Sequence, residues 1–196
     1  MYYIELTQVI HDIQCMVDIC CGENNIAITV NKQTEQLKEY IQMLDPSSVN
    51  FSKRDIFSKH KIKAYWDKFL QLADGLNAVI ESFDDNERIL GNTVATLKIK
   101  KDSSKVIMDG IREHQYKEDT TTEGVTQMAV AEQSMQSLDN LINEYSVLLK
   151  RVQDIQNVCV TVFRQAISIA KTQDSFSEIN TVAYERDYRA VKLLLT

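Results

Sequence analysis

The residues of this 196-residue chain with the widest chemical repertoire are four cysteines and three histidines, and their spacing limits what they can do. His11 and Cys15 stand four apart, on one face of any helix that holds them, with Cys20 and Cys21 following closely. Imidazole and thiolate are the donors of a zinc-type site, and His11, Cys15 and Cys20 or Cys21 would be its ligands. No second pair at ligand spacing follows, and a free cysteine on an apolar helix face is ordinarily a small core residue. No metal and no cofactor are therefore expected. Three cysteines within one short helical stretch are awkwardly placed for mutual disulfides, so reduced thiols are expected.

The other two histidines, His60 and His114, fall in separate segments, so no shared acid–base site is prefigured. Neither a glycine-rich phosphate loop, a Gly-x-Ser-x-Gly elbow, a His-Glu-x-x-His helix nor a Glu-x-x-His pair occurs. Asp84-Asp85-Asn86-Glu87 reads as a solvated acidic turn of helix. The chain is expected not to be an enzyme.

Charge points the same way. A net charge of −6 is poorly suited to displacing counterions from phosphates, so no nucleic-acid partner is expected. The charge is uneven, −5 over residues 1–50, +2 over 51–118 and −3 over 119–196. In the basic middle, Lys53, Arg54, Lys59, Lys61, Lys63 and Lys68 read as a solvated face, with an acidic docking partner as the alternative. The longest apolar stretches, near Ile26 to Val30 and Val158 to Val162, fall far short of the ~20 residues that span a bilayer. The first residues lack the basic and apolar regions of a cleavable export signal, so any export would be signal-less, from the cytoplasm.

One proline and five glycines leave little to interrupt helices. The expected fold is all-α, an elongated helical bundle or a long antiparallel helical hairpin with short N-terminal helices. A single domain over 1–196 is expected: N-terminal helices in 1–46, a long arm in 54–117, a return helix in 124–172 and a tail in 173–196. Leu6, Val9, Ile10, Ile13, Met16, Val17 and Cys20 recur at three and four on the first helix. Gly22 to Asn25 reads as a turn, and Val30, Leu37, Ile41 and Leu44 continue the period until Asp45-Pro46 ends it. The stretch from Ser47 to about Ser58 reads as a loop, with Ser52 or Ser58 available to cap the next helix.

The arm carries a near-heptad seam of Tyr65, Phe69, Leu72, Leu76, Val79, Phe83, Leu90, Val94 and Leu97, then a polar run predicting a break near Asp102. Lys117 to Gly124 predicts the turn, and Met128 to Val152 the return. If residues 60–115 are all helical they would reach roughly 80 Å, a rod with too little of itself to cover both seams, which another chain or the N-terminal helices would then have to answer. The final Leu193-Leu194-Leu195-Thr196 reads as a chain cut before a downstream domain.

In order, these signals resemble the LXG domain, the helical targeting region of polymorphic toxins exported by type VII (Esx) secretion systems. The correspondence runs through Val49-Asn50-Phe51-Ser52-Lys53, Ile62-Lys63-Ala64-Tyr65-Trp66 and Leu70 to Leu76, then Lys101 to Ile107, Leu148 to Ile155 and Val162 to Ala166. Phe51-Ser52-Lys53 stands where the family carries Leu-x-Gly, and Trp66 and Gly75 do not form a Trp-x-Gly turn.

The resemblance implies a non-catalytic, secreted export-targeting module, with any toxic activity outside this chain. It implies hetero-oligomers with small helical secretion partners and presentation to the secretion ATPase, with membrane contact only through that apparatus. Partner helices would pack on Leu6, Ile10, Ile13 and Val17 of the first helix. On the arm they would pack on Phe69, Leu72, Leu76, Val79, Phe83, Leu90, Val94 and Leu97. A helical pore-forming or membrane-acting protein and an intracellular coiled-coil scaffold are the alternatives, the first disfavoured by the polar tip at Glu118 to Gly124.

Overall fold

A computed structural model describes residues 2–22, 25–49, 51, 56–115, 122–172 and 178–195. It is all-α, with no strand among the described residues. Helix α1 (Tyr2–Cys21) is followed by α2 (Ile26–Met43), a 3-10 turn (Pro46–Ser48), α3 (Ile56–Gln115) and α4 (Thr122–Ile155). A π-helical turn (Gln156–Val160), α5 (Thr161–Lys171) and α6 (Glu178–Leu195) complete it. The expected turn at Lys117 to Gly124 falls largely outside the described residues, and α4 has begun by Thr122.

The chain divides into two compact units, Met1–Thr29 with Arg88–Leu149, and Val30–Glu87 with Lys150–Thr196. In the first, α1, the C-terminal part of α3 and most of α4 share a core of Leu6, Val9 and Ile13, then Leu90, Val94, Leu97 and Met108, then Ala131, Leu138 and Leu141. Each set follows the three–four period that gives a helix one buried stripe. Asn25 accepts the Ala27 amide at 2.8 Å and so caps α2, and Tyr145 Oη reaches both this side chain (3.0 Å) and the Cys20 carbonyl (2.8 Å) at the end of α1.

The break expected near Asp102 is absent, since α3 runs uninterrupted from Ile56 to Gln115. The polar run stays helical because its members are engaged. Lys100 pairs with Asp12, Lys101 with Asp139 at 2.5 Å, Ser103 Oγ donates to the Lys100 carbonyl, and Ser104 is buried. A lysine-rich stretch reads as a weak point in sequence, yet here it carries the ties to α1 and α4.

In the second unit an aromatic cluster dominates: Phe51, Tyr65, Trp66, Phe69, Phe163, Tyr184 and Tyr188, with ring centroids 5.1 to 6.4 Å apart. Tyr65 and Trp66 meet edge to face, the arrangement ring quadrupoles favour. The Trp66 indole N–H has no partner among the described residues, and the ring contributes through packing. Residues 178–195, read as a tail, form a helix whose Tyr184, Tyr188, Val191 and Leu195 are buried.

The end of α2 shows why this unit closes. The last carbonyls of a helix lack intrahelical partners. Here Tyr188 Oη donates to the Ile41 carbonyl, Lys68 Nζ to that of Met43 at 2.6 Å, and Tyr65 Oη to that of Leu44 at 2.7 Å. Asp45 then accepts the Ser47 amide at 2.9 Å and starts the 3-10 turn just past the end of α2 at Met43, where Asp45-Pro46 is expected to stop the helix. Ser58 does not cap α3, since the helix has begun at Ile56, and Ser52 lies outside the described residues.

Candidate interaction surface

The twelve residues expected to meet partner helices separate sharply. Leu6, Ile13, Phe69, Leu76, Phe83, Leu90, Val94 and Leu97 are buried against this chain's own helices. Ile10, Val17, Leu72 and Val79 are half-buried at the edges. The seam of the arm is therefore answered within the chain, by α1 and α4 residues in one unit and by α2, α5 and α6 residues in the other.

What remains outside is a second seam on α3 that the sequence reading passed over. Ile89, Asn92, Thr96, Ile99, Ser103, Val106 and Gly110 follow one another at steps of three and four for three heptads. All but Gly110 are exposed and Gly110 is half-buried, with Ile99 at 70% and Val106 at 72%. The helix thus has two faces: Leu90, Val94, Leu97, Ser104, Met108 and Ile111 point into the unit, while this set points out. Positions bordering the outer seam carry Lys100 and Ile107 on one side and Asp102 and Asp109 on the other, a mixture of charged and apolar flanks. Its signal was diluted by Asn92, Thr96, Ser103 and Gly110, which a search for apolar residues skips.

Two grooves of the first unit lie apart from this seam. One, about 250 Å³, is lined by Ile13, Val17, Val130 and Ser134 among others, and one of about 300 Å³ by Lys105, Met108, Arg112 and Met135 among others. Arg112 pairs across the second with Glu132, which raises the guanidinium pKa further, and with Asp109 at 3.3 Å.

The chemistry-bearing residues are dispersed. Cys159 is in the core, where burial pushes its thiol up to about 12, and burial likewise raises Cys20. His60 is exposed on α3, and the side chain of His114 lies outside the described residues. His11 and Cys15 are in contact on the outer face of α1, away from the buried Cys20, and Cys21 is exposed. No group of three or more His, Cys, Asp or Glu side chains placed to hold a metal occurs among the described residues. No described helix is long and apolar enough to cross a membrane. Compared with known proteins, the chain matches no family model, no curated protein and no solved structure.

Proposed function

We propose that the chain is a non-catalytic helical interaction module that binds small helical partner proteins, and that it serves export targeting as the LXG regions it resembles do. The observation that carries the binding role is the outer seam of α3, three heptads in which Ile89, Ile99 and Val106 alternate with polar or small residues and face away from the core. Burying Ile99 and Val106 on a partner would contribute up to about 1.5–3 kcal/mol per side chain, and Ile89 and Ile107, already more than half covered, less, before the costs of association are deducted. The targeting role is supported by layout: two N-terminal helices, a short turn, a long helix bearing the Tyr65–Trp66 pair, and a closing helical segment.

Co-expression with small helical proteins encoded in neighbouring reading frames, followed by size exclusion, tests the reading. A stable complex that Ile99→Glu or Val106→Glu abolishes, with thermal stability of the free chain unchanged, supports it. Failure of every neighbour to co-elute, or complexes indifferent to both substitutions, overturns it.

A further inference from the structure

We propose that His11 and Cys15 form half of a zinc-type metal site that a second copy of this chain completes. The pair lies one turn apart on the exposed face of α1, with Cys15 Sγ 3.6 Å from His11 Nε2 and 4.0 Å from Nδ1. Zinc bonds of about 2.3 Å to sulfur and about 2.0 Å to nitrogen, opened to a tetrahedral angle, separate the two donors by about 3.5 Å. The side chains therefore already stand at the edge length of a tetrahedral site, with Nε2 as the metal-facing nitrogen.

Four donors are needed and this face supplies two. No other His, Cys, Asp or Glu among the described residues joins them into a larger group. A two-fold axis between His11 and Cys15 supplies the remaining pair as the same residues of the copy, giving two imidazoles and two thiolates. As each sulfur–metal bond forms, the thiol proton passes to solvent, and two thiolates neutralise a divalent cation.

The same face provides apolar contacts for that copy. Ile4 is 77% and Ile19 76% exposed, and with His11 and Cys15 they lie along one side of α1. In an antiparallel pair centred between His11 and Cys15, Ile19 of one chain comes within three positions of Ile4 of the other, about 4.5 Å of helical rise. Metal and isoleucines are thus satisfied by a single arrangement, so the occupant of this face is a second copy.

The test uses the full chain kept reduced with a phosphine, titrated with Zn²⁺ or Co²⁺ and followed by light scattering and absorbance. Doubling of the mass at one metal per two chains is expected, with a thiolate-to-cobalt charge-transfer band and reversal by a chelator. His11→Ala and Cys15→Ser should each lower apparent affinity at least tenfold and remove the doubling, while Cys21→Ser and Ile99→Glu leave both intact. Ile19→Glu, which keeps both donors, should also lower affinity. Absence of the thiolate band, its persistence in Cys15→Ser, or binding of one metal per chain without change of mass overturns the proposal.

Discussion

Tyr65 Oη and Tyr184 Oη lie 2.7 Å apart in the interior of the second unit, the one from α3 and the other from α6. Because Tyr65 has a single proton and gives it to the Leu44 carbonyl, Tyr184 is the donor to Tyr65. A directional chain runs from α6 through α3 to the end of α2.

The two tyrosines should therefore differ under the same substitution. Tyr184→Phe removes one hydrogen bond and leaves the Leu44 carbonyl satisfied, a loss of about 1 kcal/mol. Tyr65→Phe strands both the Leu44 carbonyl and the Tyr184 hydroxyl, so about 2–4 kcal/mol is expected. Urea denaturation of both variants measures the order, and an equal or inverted pair would remove the chain of donors.

Alkali should unfold the protein cooperatively. Burial raises the hydroxyls of Tyr65, Tyr184 and Tyr188 far above the ordinary tyrosine value, and Tyr145 to about 12. A pKa raised in the folded state means stability is complete below the unfolded value near 10 and declines above it, since the unfolded chain ionises first. Phenolate absorbance of these residues should therefore appear together with loss of helical circular dichroism above pH ~10. Ionisation at pH 10 with helicity intact would contradict their placement.

Two glycines of α3 should respond oppositely to alanine. At Gly75 an added Cβ meets the Tyr40 hydroxyl, with the ring Cζ at 3.2 Å, so α2 and α3 must shift or Tyr40 must turn, a cost of about 1–3 kcal/mol. At Gly91 an added Cβ meets no described atom within 4 Å beyond its own helix backbone and chain neighbours, and the backbone is helical, so alanine should add roughly 0.5–1 kcal/mol. Thermal melts of Gly75→Ala and Gly91→Ala, with Tyr40→Leu as a partial rescue of the first, decide the matter.

Adjacent faces of α3 should separate folding from binding. Leu97→Asp places an uncompensated charge at a fully buried position and should unfold the first unit or cost several kcal/mol. Ile99→Glu, two residues on, should change stability by less than about 0.5 kcal/mol while removing partner binding. Helicity and melting temperature report the first effect and complex formation the second.

The scarcity of proline and glycine determined the all-α class and Asp45-Pro46 the end of α2, while periodicity determined the stripe of α1 and the seam from Tyr65 to Leu97, because burial of one face imposes the helical period on the residues themselves. Which stripe stays inside was decided by tertiary structure alone. A seam such as Phe69, Leu76, Phe83 reads identically whether α2, α5 and α6 cover it or another protein does, and short-range pattern carries no information on that choice. The same holds for Lys100 and Lys101, polar in sequence and therefore read as a break, but held helical by Asp12 and Asp139 from distant segments. Residues 178–195 read as part of a tail, and only the packed structure gives Tyr188 the Ile41 carbonyl and Tyr184 the Tyr65 hydroxyl as partners, since side-chain caps between helices exist only once the helices are packed.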